Sequence, residues 1–192
     1  FDIKNNKDPF KYEIPQFISE SVHWNYNECK YDLETEFDWV ENYQIGNCLF
    51  SHANPFIYGD WTYMNNESDH YLAAKVLEKE SFKIAFFGHT HRQKLGKCKN
   101  IEDNEIQIDS TTKSHTINLK SKNINIFNTG SIGQPRGNLT SFITVMLNSE
   151  KAKVTIHELT LDHSPHILQI EKSNMKIKTK EKLISFFIEG MA

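Results

Sequence analysis

Gly88-His89-Thr90-His91 puts two imidazoles two residues apart, directly after an apolar run, Ile84-Ala85-Phe86-Phe87, that reads as a buried strand. Histidines alternating off a strand end can be aimed at neighbouring points, and imidazole is a ligand for zinc, iron, manganese, nickel or copper. The same spacing also arises on the polar face of an edge strand. What favours metal binding is a second stretch of the same kind, Cys48-Leu49-Phe50-Ser51-His52, in which another short apolar run ends on a histidine.

The segment between them decides whether these residues meet. In Glu67 to Lys79, the residues Tyr71, Leu72, Ala74, Val76 and Leu77 approximate a helical stripe, and Ser68 supplies an N-cap. Strand, helix, strand predicts a right-handed crossover between parallel strands, whose carboxyl ends then lie at one sheet edge. His52, His89 and His91 converge there, at the edge where open α/β sheets bind their ligands.

Three blocks in this order, Ser51-His52-Ala53-Asn54-Pro55, Phe87-Gly88-His89-Thr90-His91 and Asn128-Thr129-Gly130-Ser131-Ile132-Gly133-Gln134-Pro135-Arg136, resemble the second half of a calcineurin-like metallophosphoesterase. The resemblance covers roughly residues 40 to 160. It is nearest to the bacterial branch of diadenosine-tetraphosphatase-like and protein-phosphatase-like enzymes. It implies an α/β fold, here the C-terminal part of a four-layer α/β/β/α sandwich with mixed sheets. It also implies two divalent ions (manganese, iron or zinc) that polarise phosphoryl oxygens and activate a water. By the same resemblance His52 and His89 bind one ion and His91 the other. Asn128, Ser131 and Arg136 shape the site from the adjoining loop, where Arg136 either meets the substrate phosphate with its planar fork or simply holds the loop.

The other half of that family's site is missing from the sequence. An Asp-x-His strand end, a Gly-Asp-x-x-Asp loop and a Gly-Asn-His-Asp/Glu loop should precede His52. Instead Gly59-Asp60 continues with Trp61-Thr62-Tyr63, and Gly46-Asn47 continues with Cys48, so both pairs read as turns. The chain opens on Phe1-Asp2, and the expectation is an N-terminal segment upstream that carries the carboxylates and the catalytic residues. No catalytic residue is identified in these 192 residues, and the chain alone is expected to be inactive. The competing expectation is a non-catalytic binding or scaffold module on the same fold.

Composition sets the surroundings. With 38% hydrophobic and 12% aromatic residues there is material for one core, and the length suits one domain. That domain is expected to run 1–192, with an irregular lead-in over 1–30, the metallophosphoesterase portion over 31–161 and a tail with a helix over 162–192. A formal net charge of -3 argues against a general nucleic-acid surface, and Lys94, Lys97 and Lys99 read as a solvated loop. The expected substrate is a phosphorylated small molecule, a nucleotide or a phosphoprotein. Cys29, Cys48 and Cys98 are widely spaced and odd in number, as in reduced thiols. With no membrane-length apolar run and no signal pattern, a cytoplasmic location is expected, unless a signal precedes Phe1.

The remaining elements follow from pattern. Leu33, Phe37 and Val40 predict a helix over Tyr31 to Tyr43. Pro55 to Asn66 is a long aromatic loop, either a wall beside the metal or a cover over the sheet edge. Alternation in Glu105 to Asp109, His115 to Leu119 and Ile124 to Phe127 predicts a β-meander, with His115 and His157 as ordinary strand residues. Phe142 to Leu147 and Val154 to Leu161 form a hairpin, and a helix follows Asn174.

Overall fold

A computed structural model of the chain describes residues 13–57, 59–103, 105–109, 113–136 and 140–188. Its contacts gather the chain into two compact units: one runs from Glu41 to Leu161, and the other joins the described residues up to Val40 with those from Asp162.

The first unit is an α/β structure of two sheets. Six strands make the larger one: β1 (Asn42–Ile45), β2 (Cys48–Ser51), β3 (Ile84–Phe87), β4 (Gln93–Asn100), β5 (Glu105–Asp109) and β7 (Ile124–Thr129), in the order β1-β2-β3-β7-β4-β5. The sheet is mixed. β2, β3 and β7 are parallel, while β1, β4 and β5 run antiparallel to their neighbours. The smaller sheet is antiparallel, with β6 (Ser114–Asn118), β9 (Lys151–Leu159) and β8 (Thr140–Leu147) in that order.

Strand alternation divides the core. Ala85, Phe87, Ile124 and Ile126 pack under α3 (Glu67–Lys79) with Ala73, Ala74 and Leu77, while Ile84, Phe86 and Phe127 pack toward Ala152 and Val154 of the second sheet. Burial pushes the Cys48 thiol up to about 11, so it behaves as an apolar filler; Cys98 is buried and Cys29 exposed, and among the described residues no disulfide joins them.

α3 has the predicted bounds but different details. Its N-cap is Asn66, not Ser68: the Asn66 side chain accepts from Asp69 N at 2.9 Å and the Asp69 carboxylate accepts from Asn66 N at 3.1 Å, a reciprocal pair that Ser68 has no partner to make. The buried stripe is His70, Ala73, Ala74 and Leu77, a strict i, i+3, i+4, i+7 pattern, and it excludes Leu72, which is exposed.

Elsewhere the elements depart from expectation. Residues 31–43 form only the short α2 (Leu33–Glu36) before β1. Asn42 to Ile45 gain a full ladder with β2 through the Gly46-Asn47 turn, with Gly46 at φ 52°, and a weak helical stripe offers no comparable gain. Lys94, Lys97 and Lys99 lie on β4 rather than in a loop, since Leu95, Gly96 and Cys98 bury that strand between β7 and β5. Among the described residues no β-meander forms: β5 pairs with β4, β6 joins the other sheet and β7 inserts between β3 and β4. The β8–β9 hairpin forms as the pattern suggests.

The second unit is helical. Its α1 (Gln16–Glu28) overturns the irregular reading of 1–30 for the residues described, while 1–12 lie outside them. Pro15, a breaker by pattern, opens this helix, its carbonyl accepting from Ile18 N at 2.9 Å. Phe17 meets Phe186 of α5 (Ile177–Ile188) at 6.0 Å between ring centres, and the Glu20 carboxylate accepts from Lys176 N at 2.8 Å and Thr179 Oγ1 at 2.5 Å. α4 (Ser164–Lys172) completes the tail, which carries two helices instead of one. Among the described residues no helix is long and apolar enough to cross a membrane.

Candidate metal centre

His52 follows β2 directly, and His89 and His91 follow β3. Because Ser51 pairs with Phe87 in parallel register, His52 and Gly88 stand side by side at the carboxyl edge, with Gly88 N donating to the His52 carbonyl at 2.8 Å.

The two later histidines are not aimed by strand alternation. β3 stops at Phe87, and His89 and His91 both take left-handed backbone conformations, at φ 56° and 57°. Such conformations cost a β-carbon-bearing residue about 1–3 kcal/mol and persist only where the surroundings hold them. The holders are visible: Thr90 N donates to Gly88 O at 2.6 Å, Arg92 N to Thr90 Oγ1 at 3.3 Å, and Arg136 N to His91 O at 3.0 Å.

The rings are held as firmly as the backbone. His89 Nε2 lies 3.0 Å from the Trp61 carbonyl and His91 Nδ1 lies 2.7 Å from the Gln134 carbonyl. A carbonyl only accepts, so those nitrogens carry the protons, and the lone pairs fall on His89 Nδ1 and His91 Nε2. Metal-ligating histidines are commonly oriented in this way. His52 and His89 are 5.3 Å apart between ring centres, and Trp61 packs on both at 5.6 Å. Tyr63 stacks on His89 at 4.3 Å, and Arg136 Nη1 donates to its hydroxyl at 3.4 Å.

Loss of water around the rings disfavours protonation. Burial lowers all three histidines from their ordinary value; for His89 the neighbouring His52, His91 and Arg136 lower it further, against the opposite pull of the Trp61 carbonyl. Neutral imidazoles with placed lone pairs are the ligand form.

The loop residues Asn128, Ser131 and Arg136 have distinct places. Ser131 Oγ accepts from Gln134 N at 3.0 Å, making the turn that brings the Gln134 carbonyl to His91. Arg136 binds the loop to His91 through its backbone and reaches Tyr63 with its side chain. Asn128 points to the other face of the sheet, buried against His70 at 3.2 Å. His115 stands edge-on to Phe127 and His157 stacks on Phe142 while bonding Thr144, packing roles in each case.

Several contributors carry no motif in the sequence. His70 is fully buried, with Nδ1 2.9 Å from the Asn66 carbonyl and therefore protonated there. Its Nε2 lies 3.2 Å from Asn128 Oδ1, a buried polar contact that ties α3 to β7. The signal lay in the i, i+3, i+4, i+7 stripe, where a histidine takes an apolar position. Gly96 answers the same side chain, since a Cβ there would fall 2.5 Å from His70 Cδ2. Trp61 and Tyr63 were visible only as members of an aromatic loop.

As a metal site the donor set is one-sided. The three imidazoles fit the histidine share of a divalent-ion centre, but among the described residues no group of three or more His, Cys, Asp or Glu is arranged to hold an ion. Asp60, the only carboxylate of the aromatic loop, is turned to Thr62 N at 2.8 Å and to Asn54, contacts that hold it below its usual range.

No protein-family model matches the chain, and no curated protein matches it. Among solved structures it is similar to the crystal structure of a metallophosphoesterase from Sphaerobacter thermophilus, with 17% identity and a TM-score of 0.68, over 91% of this chain and 72% of that one. At that identity the likeness establishes the fold.

Proposed function

We propose that this chain supplies the imidazole side of a divalent-metal centre that hydrolyses phosphate esters. The observation that carries the reading is His52, His89 and His91 at one carboxyl sheet edge, with the His89 and His91 tautomers fixed so that lone pairs remain for a metal. The metallophosphoesterase fold of a solved neighbour supports it. His52 and His89 would hold one ion and His91 a second. Bound divalent ions supply positive charge for phosphoryl oxygens and lower the pKa of water. This chain's own residues keep the imidazoles neutral, oriented and partly shielded from solvent by Trp61 and Tyr63. The substrate is a phosphorylated small molecule, a nucleotide or a phosphoprotein, and manganese, iron and zinc all suit the ligands.

The second reading is a non-catalytic binding or scaffold module on the same fold, since among the described residues no group of three or more His, Cys, Asp or Glu is arranged to hold an ion. Expression of the whole reading frame separates the two. The hydrolase reading expects manganese-dependent cleavage of bis(p-nitrophenyl) phosphate, abolished by His89→Ala. Metal binding without cleavage would establish the non-catalytic module.

A further inference from the structure

The aromatic loop is built more firmly than a cover requires. Asn54, only 7% exposed, ties it from within: Nδ2 is shared among the Asp60 and Thr62 carbonyls and Asp60 Oδ1 at 3.1–3.3 Å, while Oδ1 accepts from Phe56 N at 3.0 Å. Yet the rings the clamp presents are left in water. Trp61 is 50% exposed and Tyr63 40% exposed, both directly beside His89. Other large apolar side chains of the chain are equally exposed, but these two rings touch the sheet-edge histidines, so their open surface is a stacking platform next to the imidazoles.

Resting on the metal-centre reading, we propose that the Trp61–Tyr63 wall selects phosphate esters bearing a flat aromatic group, with the phosphate at the histidines and the ring stacked on the exposed indole. Histidines and platform are adjacent: Trp61 lies 5.6 Å from both the His52 and the His89 rings. Arg136, within 6.0 Å of the Tyr63 ring, adds positive charge on the same side for the anionic end. An aliphatic ester gains only contact area there, whereas a π-face gains stacking as well.

The test is NMR of the 192-residue chain, following the indole N–H signals of its three tryptophans, with that of Trp61 identified by its loss in Trp61→Leu. AMP, phenyl phosphate and ribose 5-phosphate are titrated separately. AMP or phenyl phosphate should move the Trp61 signal and bind about tenfold more tightly than ribose 5-phosphate, the size that stacking of one base provides. Preference for AMP alone identifies a nucleobase as the group recognised; equal preference for both aryl esters identifies any flat ring. In Trp61→Leu the preference should collapse, and in Trp61→Phe, which keeps a ring and preserves the fold, it should largely persist. Equal affinity of all three ligands for the parent chain, or an unchanged preference in Trp61→Leu, overturns the proposal. Zinc titration of the same sample, read at the His89 and His91 rings, is a separate arm: its failure removes the metal reading while the comparison of ligands still decides the platform.

Discussion

At the scale of single residues, the three site histidines make a pH prediction with a definite sign. Each has its folded-state pKa below the ordinary value of 6.5, mainly through burial, so on acidification the unfolded chain takes up these protons first. Their contribution to stability is therefore complete above pH 6.5 and declines as pH falls through the lowered values. Urea midpoints should be level from pH 8 to 7 and decline from pH 6.5 to 5, with a smaller decline in His89→Gln; a midpoint that rises over that interval contradicts the assignment. Carboxylates such as Glu20 and Asp60, held below 4.5 and 3.8, act in a lower window and do not confuse the result. Gly130 offers a second check. At φ 78° a side-chain-bearing residue is strained there, and an added Cβ, 2.2 Å from Ser141 Oγ, would also force that hydroxyl off its bond to the Thr129 carbonyl. Gly130→Ala should cost about 1–3 kcal/mol or more in denaturant unfolding, and a neutral outcome would mean that the loop carrying Gln134 to His91 is not held as described.

At the scale of elements, the crossover from β2 through α3 to β3 was legible because each piece is strongly patterned: two four-residue apolar strands and a helix with clear ends. The convergence of His52 and His89 followed from that topology. What was not legible has identifiable causes. β4 hid behind three lysines because a strand packed between β7 and β5 needs only Leu95, Gly96 and Cys98 inward, too short a pattern to outweigh the charges. α1 hid because none of its residues is fully buried, leaving little apolar periodicity to read. The meander failed because sequence alternation marks strands without saying which neighbour each will pair with. The left-handed backbone at His89 and His91 left no sequence signal at all, since only its surroundings enforce it. One prediction belongs here: Asn54→Ala removes the clamp of the aromatic loop and leaves its carbonyls short of donors, costing about 1–3 kcal/mol. It should also release the Trp61 carbonyl from His89, seen as faster exchange of the His89 ring proton, whereas an unchanged His89 signal would show that the loop does not hold that ring.

At the scale of the whole molecule, the site belongs entirely to the two-sheet unit, and among the described residues no group of three or more His, Cys, Asp or Glu is arranged to hold an ion. The 192-residue chain by itself should therefore show no metal-dependent hydrolysis of p-nitrophenyl phosphate or its bis-ester above background; turnover lost in His89→Ala would mean that carboxylate ligands do come from within these residues. Whether the imidazoles form a metal centre at all is more direct to measure, by calorimetric titration of zinc into the chain and into His89→Ala, His91→Ala and His157→Ala. Ligation at the sheet edge predicts binding weakened about tenfold or more in the first two variants. His157→Ala, which removes a ring stacked on Phe142 and its bond to Thr144, both remote from the sheet-edge histidines, should bind zinc as the parent does. Equal affinities across all four proteins would contradict a metal centre at His52, His89 and His91.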